Sequence, residues 1–151
     1  MDKTVICYIE KDNKYLMLYR NKKQNDLNKG KYIGIGGHVE NNESYIDAIK
    51  REVKEETSLT INSLEERGVI YFSYDQYEEE MVVFTSSDFS GEISSCNEGD
   101  LSWIDKKDIL SLPLWEGDKV FLDYLLNDKK TYFKFKLIYE NNKLVKVDKL
   151  F

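Results

Sequence analysis

Residues 36–57 read Gly36-Gly37-His38-Val39-Glu40-Asn41-Asn42-Glu43-Ser44-Tyr45-Ile46-Asp47-Ala48-Ile49-Lys50-Arg51-Glu52-Val53-Lys54-Glu55-Glu56-Thr57. Ser44 and Asp47 make an S-x-x-D capping box, which predicts a helix from about Tyr45 to Thr57. At roughly 100° per residue, Ile46, Ile49, Val53 and Thr57 fall on one stripe, expected to face a core. Glu52, Glu55 and Glu56 flank that stripe. Residues three and four apart are neighbours on a helix, so Glu52 meets both other acids, and each like-charge pair costs about 0.2–0.5 kcal/mol. The acids also crowd the C-terminal half, where the macrodipole disfavours negative charge. Two local penalties in one place mark a functional site. A divalent cation relieves both. An oxygen-rich, half-exposed set of donors suits Mg²⁺, with Mn²⁺ the alternative, better than Zn²⁺. Gly36-Gly37 is expected to be a turn whose main chain approaches such an ion closely.

Working outward, Thr4–Glu10 alternates and reads as a strand. Asp12-Asn13 is a turn and Lys14–Arg20 a second strand, which makes a hairpin. The polar run Asn21–Lys31 reads as a loop, and Tyr32–Val39 as a short strand leading into the glycines. After the acidic helix, strands are expected at Leu64–Tyr74, Glu80–Asp88 and Leu101–Ile104, then a helical turn at Asp105–Leu110. A second amphipathic helix, Asp118–Leu126, carries Val120, Phe121, Tyr124 and Leu125. Thr131–Tyr139 and Lys143–Val147 flank Asn141-Asn142, a terminal β-hairpin with an I′-type turn. This order predicts an α/β (α+β) chain with a mixed sheet between helices.

The 151 residues suit a single domain, residues 1–151, with one sizeable core. A net charge of −6 and the lack of a dense basic patch argue against nucleic-acid polymers as partners. Small phosphates recruited by a metal stay open. The two cysteines, Cys7 and Cys96, form no C-x-x-C pattern, so a reducing setting is expected. Nothing resembles a signal peptide or the apolar run of roughly 18 residues that a membrane span needs. The expectation is a cytoplasmic protein with no membrane partner, as monomer or homodimer.

The spacing of the acidic stretch is more telling than its charge. It runs Gly37, five residues, Glu43, seven residues, Arg51-Glu52, an aliphatic residue, one residue, Glu55-Glu56, two residues, an aliphatic residue. At residue frequencies near about 1 in 15, these six identities arise by chance on the order of once in 10⁵ such chains. From Gly37 to Leu59 the pattern resembles the Nudix box, with one departure: Ser58 stands where that family usually has Gly, at a left-handed helix end. The resemblance implies an αβα sandwich and a hydrolase that cleaves a nucleoside diphosphate linked to another group. Glu52, Glu55 and Glu56 match the box carboxylates that hold metal, and the Gly36 carbonyl matches a main-chain ligand. Arg51 matches the arginine that orients a neighbouring carboxylate, and Glu43 matches a structural glutamate. Outside the box, Glu98 matches a metal-binding or general-base glutamate, with Asp100 its rival. The general base stays unassigned between Glu52, Glu56 and Glu98.

The similarity extends to MutT-like enzymes that clear oxidised purine nucleoside triphosphates. It is carried by Leu112-Pro113-Leu114-Trp115-Glu116-Gly117-Asp118 and by Tyr132-Phe133-Lys134-Phe135. In that group a Trp stacks on the base and an acidic pair reads its edge. Trp115 matches the Trp and Asp118 one acid, while Gly117 replaces the other. Ile33 stands where a base-reading Asn is found. Trp115 also reads equally as a core residue anchoring its helix. Arg20 and Lys23 are candidate phosphate ligands, and His38 a residue of the pocket rim. The implied substrate is a nucleoside triphosphate, with 8-oxo-dGTP a candidate. Hydrolysis of ADP-ribose or nucleotide sugars, and a non-catalytic nucleotide-binding module, are the alternatives.

Overall fold

The computed structural model describes residues 1–150. Its strands are β1 (Asp2–Lys11), β2 (Lys14–Arg20), β3 (Tyr32–Ile33), β4 (Ile35–His38), β5 (Thr60–Tyr74), β6 (Tyr77–Ser90), β7 (Gly99–Asp105), β8 (Phe133–Glu140) and β9 (Lys143–Lys149). Helix α1 is Tyr45–Thr57 and α2 is Glu116–Leu126, and a 3₁₀ turn spans Lys106–Ser111. The main sheet runs β4-β1-β6-β5-β8-β9, and β2 carries β3 on one side and β7 on the other. β1 joins the two groups: Thr4–Cys7 pairs with β4, and Glu10-Lys11 pairs with β2. β1–β6 and β5–β8 are parallel and the other pairings antiparallel, so the sheet is mixed.

Both faces of this sheet are covered, which changes the reading of β1. The expected alternation is absent: Val5-Ile6-Cys7-Tyr8-Ile9 is a continuous apolar run, and Thr4 to Ile9 are all buried. Val5, Cys7 and Ile9 meet Ala48, Ile49 and Val53 of α1. Ile6 and Tyr8 meet Phe121, Leu122 and Leu125 of α2. A strand covered on both faces reads as a nearly continuous apolar run. The expected αβα layering is therefore present, with α1 and α2 on opposite faces of the sheet.

The turns follow their residues. Asp12-Asn13 and Asn141-Asn142 all have positive φ, as a two-residue I′ hairpin loop requires. The expected spans of β2 and α1 coincide with those observed, and Ser44 Oγ accepts the Asp47 N–H at 3.0 Å. Ser58 closes α1 at φ 72°, its N–H bonded to the Lys54 carbonyl. Serine thus takes the left-handed position despite a cost of about 1 kcal/mol relative to Gly. Among the described residues no helix is long and apolar enough to cross a membrane.

Two expectations about the decisive stretch need correction. Gly36-Gly37 is not a turn: both residues lie inside β4, opposite Ile6 and Val5 of β1, and neither has positive φ. Glycine is required there by close approach, since a Cβ on Gly36 would lie 1.9 Å from the Val5 carbonyl oxygen. The bend comes later, at Asn42. Nor does Ile46 belong to the buried stripe. It is 49% exposed, while Glu56 joins Ile49, Val53 and Thr57 on the buried face. Tyr45 and Ala48 seat the first turn of α1 on the core while Ile46 faces outward, and the last turn lies against the glycine strand.

Candidate active site

The three acids of α1 are unequal because the helix presents them to different surroundings. Glu55 is well exposed, Glu52 partly buried and Glu56 buried. β4 brings its main chain against this end of the helix, so the Gly36 N–H donates to Glu56 Oε2 at 3.2 Å. Glu56 Oε1 is buried and takes no hydrogen bond from the described residues. Gly37 makes room for Glu52: a Cβ there would sit 2.5 Å from the Glu52 carboxyl carbon. Each glycine of the pair therefore fits one site acid to the sheet edge.

Arg51 offsets much of the local charge. It grips both oxygens of Glu43, at 2.8 and 3.0 Å, and bonds Glu52 at 2.8 Å and Glu55 at 3.2 Å. It also donates to the His38 carbonyl at 3.0 Å, which ties α1 to the end of β4. The positive group on the acidic helix is thus, in the first place, its own arginine. Glu43 accepts from the Glu40 N–H as well, and the Arg51 hydrogen bonds together with that N–H lower its pKa from 4.5 to about 2. Burial pushes Glu52 upward, against the pull of Arg51. Burial first, then neighbouring Glu98 and Glu52, push Glu56 far above the carboxylate range. Desolvation outweighs the like-charge crowding that the sequence emphasises.

Glu98 reaches the same place from the opposite side, immediately before β7. Its carboxylate pairs with Arg20 at 2.9 Å and Lys23 at 3.7 Å. Burial opposes its charge, but a proton held on Glu56 and facing Glu98, then the Arg20 charge, keep it below the ordinary value. Asp100 points elsewhere, to Asn21 at 2.8 Å and Lys22 at 3.8 Å. Of the two rival acids, Glu98 is the one that lines the cleft.

That cleft has a volume of 690 Å³ and joins most of the residues singled out from the sequence. Arg51, Glu52, Glu98, Arg20, Lys23, Gly36, Gly37 and His38 lie along it, as do Ile33, Trp115 and Asp118. Glu43, Glu55 and Glu56 are not part of its lining. Two other clefts, of 370 and 450 Å³, contain none of the expected site residues. Trp115 is 6% exposed, so it serves the core and the cleft at once. Its indole N–H donates to Asn28 Oδ1 at 2.7 Å, Tyr74 and Tyr139 meet its ring edge-on, and Lys31 lies 4.8 Å from its centroid. Asp118 is buried on the first turn of α2. Burial, then Glu79, push its pKa up to about 7 against the opposing charge of Lys31.

Sequence reasoning missed one wall of the cleft. Phe72 and Tyr74 of β5, with Tyr77, Glu79 and Met81 of β6, line it, and so does Thr4 of β1. Two separate strands are expected here from sequence, at Leu64–Tyr74 and Glu80–Asp88, but their placement beside α2 depends on the parallel β1–β6 pairing. Local periodicity does not encode that pairing.

As they stand, no three His, Cys, Asp or Glu side chains among the described residues are arranged to hold a metal ion. Arg51 engages Glu52 and Glu55, and Arg20 engages Glu98. The donor chemistry nevertheless suits a hard cation. The groups are carboxylate oxygens, one is buried without a partner, and a glycine keeps space beside another.

Comparison with known proteins agrees with this geometry. The profile of the NUDIX domain matches residues 2–125. The Nudix hydrolase YvcI of Bacillus subtilis is 32% identical over 126 residues, covering 80% of this chain and 76% of that one. An oxidized purine nucleoside triphosphate hydrolase of Danio rerio is 32% identical over 117 residues, 75% of each chain. Among solved structures, a MutT protein from Bacillus halodurans superposes with a TM-score of 0.88 at 24% identity, covering 99% of this chain and 98% of that one. At that identity the superposition speaks for the fold alone. The profile and the relatives carry the assignment further: the chain belongs to the Nudix hydrolase family.

Proposed function

We propose that this protein is a Mg²⁺-dependent pyrophosphohydrolase of purine nucleoside triphosphates, releasing a monophosphate and pyrophosphate. The observation that carries the reading is the division of one cleft into two chemistries. Glu52, Glu98, Arg20 and Lys23 stand at one part of it, and Phe72, Tyr74, Trp115 and Asp118 at another. A triphosphate with a flat base needs both. Similarity to the oxidized purine nucleoside triphosphate hydrolases supports the same substrate class.

Glu52, Glu55, Glu56 and Glu98, with the Gly36 carbonyl, would hold the cation. Bound there, Mg²⁺ supplies polarisation of phosphoryl oxygens and a lowered pKa for bound water. The chain's own residues do the rest. Arg20 and Lys23 bind phosphate oxygens, with the Arg20 guanidinium oriented by Asp26 at 2.6 Å and Glu98 at 2.9 Å. Arg51 orients Glu52 and Glu55 by hydrogen bonds already formed. Trp115 supplies a flat apolar wall and Asp118 a polar contact to the base edge. Ile33 offers no hydrogen bond, so strong discrimination for an oxidised base is not expected from that position.

A substrate panel with and without Mg²⁺ tests this. It includes dGTP, dATP, 8-oxo-dGTP, ADP-ribose and a nucleotide sugar, with products separated by chromatography. The expected result is Mg²⁺-dependent release of pyrophosphate from purine triphosphates, faster than any cleavage of the sugar-linked diphosphates. Equal or faster cleavage of ADP-ribose, or no triphosphate turnover, overturns the reading.

A further inference from the structure

The aromatic part of the cleft contains a second carboxyl group besides Asp118. Glu79 lies near the start of β6 and lines the slot with Phe72, Tyr74, Met81 and Trp115. Two hydroxyl groups that also line the cleft hold it in place. Glu79 Oε2 accepts the Thr4 hydroxyl at 2.8 Å, and Oε1 lies 3.1 Å from the Tyr77 hydroxyl, whose single proton is shared with Asp2 Oδ2 at 2.8 Å. A carboxylate has about four lone-pair sites, so this anchoring leaves acceptor capacity for a ligand. The Asp118 side chain is buried against the same cleft and lines it. The two groups are close enough for Glu79 to raise the pKa of Asp118.

The residue beside Asp118 cannot join it. A Cβ on Gly117 would meet the Tyr139 hydroxyl at 2.5 Å and Leu137 Cδ1 at 2.7 Å, and that hydroxyl accepts the Gly117 N–H at 2.7 Å. The second acid of the slot therefore comes from a different element, β6. We propose that Glu79 and Asp118 together grip the donor edge of a guanine-type base, making Glu79 a specificity-determining residue that favours guanine over adenine nucleotides. Guanine presents N1–H and an exocyclic amino group side by side, two donors for two carboxyl groups. Adenine presents one amino donor beside the N1 lone pair, which the Glu79 carboxylate repels. The flat walls fix the base plane, so the pair reads an edge rather than a face.

This inference rests on the triphosphate reading, and its test separates the two. kcat/KM is measured for dGTP, dITP and dATP with the wild-type protein and Glu79→Gln, after thermal melting shows that the variant folds. The wild type is expected to prefer dGTP over dATP by about tenfold or more. Glu79→Gln is expected to lose about tenfold on dGTP and little on dATP, and dITP, which lacks the amino group, to lose an intermediate amount. Calorimetric binding of dGMP and dAMP to the wild type gives a readout independent of the variant, with dGMP expected to bind more tightly. Equal losses on both bases, or no wild-type preference for guanine in rate or binding, overturns the role of Glu79 and leaves triphosphate hydrolysis standing. No turnover of any triphosphate by the wild type removes the underlying reading instead.

Discussion

Two adjacent glycines do different work, although sequence alone reads them as one turn. Gly36 lets β4 lie against β1, and Gly37 leaves room for the Glu52 carboxylate. The obstacles differ in kind: main chain at Gly36, the end of a flexible side chain at Gly37. Gly36→Ala is therefore expected to destabilise the fold, by roughly 3 kcal/mol or more, because backbone must move. Gly37→Ala is expected to keep its melting temperature within a few degrees and to lose turnover at least tenfold, because Glu52 is displaced. Melting curves and kcat/KM for both variants check the contrast. An equal loss of stability would mean that Gly37 is also a packing residue. At this scale the sequence showed only in part which of its singled-out residues the fold brings to one cleft, and was silent on how they pack. Chain spacing identifies Glu52, Glu55 and Glu56, but only the packed helix shows Glu56 buried and Glu55 in solvent.

Helix α1 was the most legible element, because its signals are local. The Ser44 cap, the Ile49 and Val53 stripe and the left-handed Ser58 all lie within the helix or one residue from it. Its electrostatics were less legible. Arg51 reaches Glu43, Glu52, Glu55 and the His38 carbonyl, partners in the preceding loop, the helix and β4. A simple charge tally of the helix face misses that bracing. The pH dependence of stability follows from it. The folded-state pKa of Glu43 is depressed, from 4.5 to about 2, chiefly by Arg51. Its contribution is thus fully present above pH 4.5 and is lost as pH falls through the folded value. The melting difference between wild type and Glu43→Gln is expected to be constant near neutrality, to shrink below pH 4.5 and to vanish near pH 2. A difference unchanged down to pH 3 would show that Glu43 acts through shape rather than charge.

At the scale of the molecule, the mixed sheet is what assembles the site. β4 and α1 bring Gly36, Gly37, Glu52 and Glu56, while β2 and the start of β7 bring Arg20 and Glu98. β5, β6 and α2 bring Tyr74, Glu79, Trp115 and Asp118. The chain order of these elements could be read from sequence. Their spatial order could not, because the parallel β1–β6 and β5–β8 pairings join residues more than 60 positions apart. For that reason the carboxylates and Arg20 were foreseen and the Phe72–Glu79 wall was not. The central claim is that the buried acid at the sheet edge is kept for a cation, at a cost to the metal-free fold. Glu56→Gln tests it most directly, because the amide can still accept the Gly36 N–H while carrying no charge. Thermal melting of wild type and variant, with and without Mg²⁺ and alongside turnover, is the measurement. At saturating Mg²⁺ (about 100 times Kd) the wild type should gain about 2.7 kcal/mol, on the order of 5–10 °C. Glu56→Gln should melt at or above the metal-free wild type, gain little from Mg²⁺ and lose turnover. A wild type that Mg²⁺ does not stabilise, or a variant that keeps near-normal Mg²⁺-dependent turnover, would contradict the account.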